Sequence, residues 1–294
     1  MGDPSFELLE ARALRAAGAS VTDGVLLIEG TFKGDRVALF RDDAGAMIFA
    51  KVNGVTQLFA AADVTKIVID TKRGDDVVEI LGGVIERPIT VWTHAGNDTI
   101  VGGDGPERLN AGDDDDIVTG GGGRDTIYGG PGPGADILRG NGGSDLIDGE
   151  DGPDTVRGDE GNDNISGGDG IDRLRGSDGN DQLRGGASKD FIAGEAGMDA
   201  IWGDGGNDFL SGGDGTDRID AGAGDDLLTG DGGADSMMGG TGNDVLYGTG
   251  DQADKEIDLF YPDFPPEGQS LPFSATSSSA TKTIWLLNGE LHGV

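Results

Sequence analysis

Residues 120–128 read GGGGRDTIY. Glycine loses more backbone freedom on folding than any other residue, so four in a row are costly to order. A fold that fixes them needs an interaction that offsets this cost. The stretch is also one of a series. GNGGSDLID (140–148), GGDGIDRLR (167–175), GDGGNDFLS (203–211) and GGTGNDVLY (239–247) repeat its plan of glycine-rich turn, aspartate and apolar-centred triplet. The spacing gives seventeen units of nine between Thr93 and Tyr247, with one two-residue insertion around Pro133-Gly134. A fixed short period of this kind is the sequence signature of a solenoid.

Numbered within a unit, glycine recurs at positions one, two and four, aspartate at six and an aliphatic residue at eight. The reading assigns glycine at all three positions to positive φ and close approach of carbonyls. Position eight points inward in a three-residue strand, so Ile100, Leu109, Val118, Ile127 and their successors to Leu246 form the core, with positions seven and nine outward. Aspartate at six supplies a hard, charged oxygen. Calcium takes six to eight oxygens at 2.3–2.6 Å, more than one turn offers but within reach of two stacked turns.

The pattern G-G-x-G-x-D-x-U-x resembles the RTX, or hemolysin-type calcium-binding, nonapeptide repeat. The resemblance covers about half the chain. It implies an all-β, right-handed parallel β-roll in which each nonapeptide is a six-residue turn plus a three-residue strand and two make one coil. Successive units then lie on opposite edges, giving two columns of calcium ligands. One holds Asp98, Asp116, Asp136, Asp154, Asp172, Asp190, Asp208, Asp226 and Asp244; the other holds Asp125, Asp145, Asp163, Asp181, Asp199, Asp217 and Asp235. Glu107 starts the second column as a departure from the pattern, and Asp114 stands where a turn glycine belongs. One ion per stacked pair of turns makes roughly fifteen Ca2+, +30 against the formal net charge of −34. The resemblance also implies a secreted, extracellular or cell-surface protein, bacterial in origin.

Composition narrows the rest. The acidic balance repels nucleic acid and anionic membranes. No run of 18 apolar residues spans a bilayer, and residues 1–20 lack the basic start and apolar core of a secretory signal. There is no cysteine, hence no disulfide or thiolate metal site. His94 and His292 are the only histidines, and neither H-E-x-x-H nor G-x-S-x-G occurs, so no enzyme is expected. His94 reads as a turn residue.

Four segments follow. Residues 1–20 include a helix-like stretch from Ser5 to Ala17 with Ser5 as N-cap. Residues 21–92 read as β structure merging with the first coil, with Asn53-Gly54 as a type I′ hairpin turn. The repeats fill 93–247. Residues 248–294 hold a degenerate repeat, a Pro/Ser-rich linker and TIWLLNGELHGV, a hairpin-like tail.

Calcium ions are the first expected partners. At position seven the odd-numbered units carry an apolar stripe, Phe191, Phe209, Leu227 and Val245, against which Trp285 and Leu287 of the tail, or the alternating pair Ile284 and Leu286, are expected to pack, in cis or in trans. That stripe, the open solenoid ends or the tail would serve self-association into a fibre or surface layer. Arg139, Arg157, Arg173 and Arg175 share the same sheet; they either pair with acidic neighbours or hold an extracellular polysaccharide. The three functional readings are a calcium-binding structural protein, a self-assembling subunit and a calcium-dependent carbohydrate-binding module.

Overall fold

In a computed structural model of the chain, residues 17–81 and 87–248 are described in full, together with the backbone of strands Leu259–Tyr261, Ile284–Leu287 and Glu290–Gly293. The helix expected over Ser5–Ala17 falls outside the described residues except for Ala17. So do the linker and the side chains of Trp285 and Leu287.

The period of nine produces two facing sheets because the strand triplets of alternate units share an edge. Ile117 pairs with Thr99 on one side and Ile137 on the other, and this parallel register continues through Thr155, Arg173, Phe191, Phe209 and Leu227 to Val245. Even-numbered units build the other sheet in the same way, from Glu107–Asp113 to Ser236–Met238. Each sheet has 13 strands. The insertion in 129–139 is absorbed in a turn with exposed Pro131 and Pro133, so Ile137 stays in register with Ile117. Every position-eight residue from Ile100 to Met237 is at most 3 % exposed, and Leu246 packs partly buried on the end of the row. Burying each such side chain contributes about 1.5–3 kcal/mol.

The coils start well before the first complete nonapeptide. Eight strands precede it: β1 (Gly18–Thr22), β2 (Val25–Glu29), β3 (Arg36–Arg41), β4 (Met47–Val52), β5 (Val55–Ala60), β6 (Lys66–Asp70), β7 (Val77–Leu81) and β8 (Ile89–Ala95). Pairing of β2 with β6, β6 with β8, and β8 with Glu107–Asp113 is parallel, so these strands extend the first sheet. β3 and β7 extend the second. Each of β2, β3, β6 and β7 turns two aliphatic residues inward, such as Leu26 and Ile28 or Val37 and Leu39, against one per strand in the repeats.

This end is closed by antiparallel structure. β1 folds back on β2, and β3, β4 and β5 form a meander. Asn53 (φ 49°) and Gly54 (φ 85°) make the tight turn between β4 and β5, with both central residues left-handed as a type I′ turn requires. The Gln57 amide of β5 then joins the two sheets: its Oε1 accepts from Ala19 N at 2.8 Å and its Nε2 donates to Ala19 O at 3.2 Å.

At the other end the repeat does not stop at Tyr247. Leu259–Tyr261 adds a further parallel strand, with Phe260 opposite Met237, 23 residues on rather than 18. Asp258-Leu259-Phe260 restates the aspartate-x-apolar signature after a longer interval in sequence, a feature the nonapeptide count passes over. Ile284–Leu287 and Glu290–Gly293 pair only with each other among the described residues, as an antiparallel hairpin.

Candidate metal centres

The unit Gly203–Ser211 shows how a turn is built. Asp204 at position two (φ 68°) and Gly206 at position four (φ 151°) are left-handed. Position two keeps that conformation even where the residue is Asn141, Glu150 or Ser177, and Asp114 adopts it at position four (φ 81°), so the turn survives there without glycine. Position one differs from the expectation. Its glycines, Gly203 among them, do not take positive φ. They are needed for space: a Cβ at Gly203 would lie 2.5 Å from Asp208 Oδ2 and 2.5 Å from Ala221 O, and one at Gly120 would lie 2.5 Å from Asp125 Oδ2 and 2.8 Å from Gly140 O. A missing side chain therefore leaves a cradle bounded by a carboxylate oxygen and the position-one carbonyl of the next coil.

The position-six aspartates form two continuous ladders. Asp208 Oδ1 accepts from Asp190 N at 2.8 Å, and Asp208 N donates to Asp226 Oδ1 at 2.8 Å. One ladder runs through Asp98, Asp116, Asp136, Asp154, Asp172, Asp190, Asp208, Asp226 and Asp244. The other runs from Glu107 through Asp125, Asp145, Asp163, Asp181, Asp199 and Asp217 to Asp235. Glu107 spends its longer arm on its own turn, accepting from Gly103 N at 2.9 Å.

The second carboxylate oxygen is the informative one. Oδ2 of Asp76, Asp98, Asp116, Asp125, Asp145, Asp154, Asp163, Asp172, Asp181, Asp190, Asp199, Asp208 and Asp217 is buried and has no hydrogen-bond donor. Buried polar atoms are nearly always satisfied, and a carboxylate oxygen left alone in a protein interior is costly. Burial accordingly pushes these carboxyls up: Asp116 and Asp154 to about 8, Asp125, Asp181 and Asp190 to about 7, Asp172 and Asp208 to about 6. Backbone N–H donation works against the rise, while like charges up and down the column add to it at Asp116, Asp154, Asp181 and Asp190. Among the described residues no three His, Cys, Asp or Glu side chains converge on one point. The donor set is one of carboxylate and backbone carbonyl oxygens, which suits a hard divalent cation and not a thiophilic or imidazole-preferring one.

Two members of the first ladder escape a reading based on complete nonapeptides. Asp35 N donates to Asp76 Oδ1 at 2.6 Å and Asp76 N to Asp98 Oδ1 at 2.7 Å, so the column extends two coils upstream. The signal was an aspartate two places before an inward valine, Asp35 before Val37 and Asp76 before Val78.

On the outer face of the second sheet the expected stripe is present. Phe191 and Phe209 stack with centroids 5.2 Å apart, and Lys189 Nζ sits 4.3 Å from the centre of the Phe209 ring. Arg173 lies over Phe191 at 5.4 Å. Arg157 pairs with Asp159 at 3.2 Å and Arg175 with Glu195 at 3.3 Å. His94 is a turn residue (φ 78°) whose Nε2 is 3.0 Å from Asp70 Oδ1.

A pair of neighbouring glycines tests the cradle. Gly203→Ala places a methyl group in it and is expected to cost about 1–3 kcal/mol, the range for overpacking. Gly205→Ala, in the same turn, meets nothing within 4 Å and is expected to stay within about 0.5 kcal/mol of the parent. Urea melts of both variants in saturating calcium check the difference; equal midpoints would mean that position one has room to spare.

Comparison with known families agrees with the geometry. The RTX calcium-binding nonapeptide repeat matches residues 90–106, 101–133, 131–165, 166–201, 193–228 and 229–252. No individual curated protein matches the chain. With two ladders of buried aspartates on a nonapeptide parallel β-roll, and matches that together span more than half its length, the chain belongs to the RTX calcium-binding nonapeptide repeat family.

Proposed function

We propose that this chain is an extracellular structural protein that folds as it binds calcium, without catalytic activity. The observation that carries this reading is the series of ten buried Oδ2 atoms with no donor, from Asp125 to Asp217, each beside a glycine whose missing Cβ leaves room for an ion. The sixteen repeat aspartates would supply the charged ligands and turn carbonyls the remainder. Calcium supplies positive charge between stacked turns, so occupation removes both the desolvation cost and the repulsion along each column. At the low calcium of a cytosol the repeats stay loose. Outside a cell, where calcium is about 10⁻³ M, sites of extracellular strength fill. Far-UV circular dichroism and small-angle scattering test the reading: in EGTA at neutral pH the repeats should be expanded and poor in β structure, and millimolar calcium should compact them. Spectra and radii that do not change between the two conditions would overturn it.

A second reading, calcium-dependent binding of an acidic polysaccharide, is favoured by one feature of the second sheet. From Thr99 to Tyr247 its outward positions seven and nine carry no Asp or Glu, although the chain has 55 acidic residues. They carry instead the Phe191–Phe209 stack and four arginines, a surface that can lie against sugar rings and accept carboxylates. Uronate oligosaccharides should then bind in calcium and lose affinity in Arg173→Ala, with no binding at all as the refuting result.

A further inference from the structure

The cradle beside the carboxylate is not the same along the first ladder. At Asp98 the position-one residue is Thr93, fully buried, and its hydroxyl donates to Ala111 O at 2.7 Å. Ala111 O is the position-one carbonyl of the next coil, the counterpart of the carbonyl that faces the empty cradle beside Gly203. That donation uses its single proton, so Asp98 Oδ2, buried beside it, keeps no donor. A neutral donor thus occupies the place left open beside Asp125 or Asp208. One coil earlier, Thr71 holds position one, also fully buried; neither its hydroxyl nor Asp76 Oδ2 has a hydrogen-bond partner.

At Asp35 the carboxylate is satisfied outright. Oδ2 accepts from Thr31 N at 2.5 Å and Thr31 Oγ1 at 3.0 Å, while Oδ1 accepts from the Asn53 side-chain amide. The turns here also carry fixed cations, Lys33, Lys72 and Arg73, at positions that hold glycine or acidic residues in most later turns. These coils bury two aliphatic residues per strand instead of one, and the antiparallel β1 and β4–β5 strands close their outer end. Each feature replaces something calcium would otherwise supply, donors to the carboxylate at Asp35, positive charge, or cohesion between strands, and Thr71 and Thr93 fill the space an ion would take beside Asp76 and Asp98.

We propose that the roll is metal-free from its N-terminal end through the turn of Asp98, and that these coils are a calcium-independent template on which the calcium-filled coils stack. The proposal rests on the calcium reading of the later turns, and it moves Asp98 out of the set of calcium ligands. Thr71 and Thr93 act as selectivity residues, excluding the ion by filling its place.

Hydrogen exchange of the full chain, followed by mass spectrometry in EGTA and in millimolar calcium at neutral pH, tests it. In EGTA, peptides within 18–81 and 87–101 are expected to exchange on the order of a hundredfold more slowly than those within 137–238. In calcium both regions should be protected. Loss of protection throughout in EGTA overturns the template while leaving calcium-coupled folding intact. Protection throughout in EGTA removes the boundary, and with it both the proposal and the reading it rests on. A second measurement concerns Thr93 itself. Native mass spectrometry should find one more calcium bound to Thr93→Gly than to the parent, and none more to Thr93→Val, which keeps the cradle filled. Equal counts for Thr93→Gly and the parent would show that Thr93 excludes nothing.

Discussion

Asp172→Ala is expected to destabilise the calcium-loaded roll by several times more than Asp169→Ala, three residues earlier in the same unit. Asp172 is fully buried, and its Oδ1 accepts from Asp154 N at 2.8 Å. Alanine leaves that N–H without a partner in the interior, at about 1–3 kcal/mol, and also removes a charged ligand from the column. Asp169 is exposed at position three, so its loss should stay within about 0.5 kcal/mol. Thermal melts at fixed calcium give the stability difference, and calcium titrations of the two variants give the affinity difference. Equal midpoints in both would mean that position six is not the ligand position.

The calcium-free chain should respond to acid in the direction opposite to most proteins. Its column carboxyls are raised by burial, Asp116 and Asp154 to about 8 and Asp172 to about 6, from an ordinary value of 3.8. Between those limits the folded state holds more protons than the unfolded one, so its stability is greatest below about pH 4 and falls as pH rises toward 8. In EGTA, lowering the pH from neutral to about 4 should therefore restore β structure to the repeats, with protons standing in for calcium. Conversely, adding calcium to the chain folded at about pH 4, where the column carboxyls hold protons, should release protons into a weakly buffered solution. Circular dichroism against pH and a pH-stat titration check the two statements. A calcium-free chain that loses structure on acidification would show that column repulsion does not limit its folding.

The tail marks where the sequence reading outruns the described structure. Ile284–Leu287 and Glu290–Gly293 form the hairpin expected from the apolar run and Asn288-Gly289, but a two-stranded hairpin alone is marginal in water. What Trp285 and Leu287 pack against lies outside the described residues.

The sequence alone determined the architecture of the repeats, because every constraint there is local and recurs. An aliphatic residue every nine positions gives the core row from Ile100 to Met237, and an aspartate two places earlier gives both ladders. Parallel stacking at a fixed offset then leaves no freedom in register. The N-terminal coils were a matter for the tertiary structure. Asp35 and Asp76 are 41 residues apart and Asp76 and Asp98 are 22 apart, because the β4–β5 hairpin and unequal turns interrupt the count. Periodicity cannot show that such residues share a column; only the parallel pairing of β3 with β7 and of β7 with Thr99–Val101 brings them together. The role of position one was hidden for a related reason. Glycine there serves vacant space rather than backbone conformation, and the space exists only once Asp208 and Ala221 O of the next coil stand on either side of Gly203. Threonine at the same position in Thr71 and Thr93 reads in the sequence as an imperfect repeat. Placed beside Asp76 and Asp98 it becomes a filled cradle, because what a side chain excludes depends on the neighbouring coil, which the chain reaches only by folding.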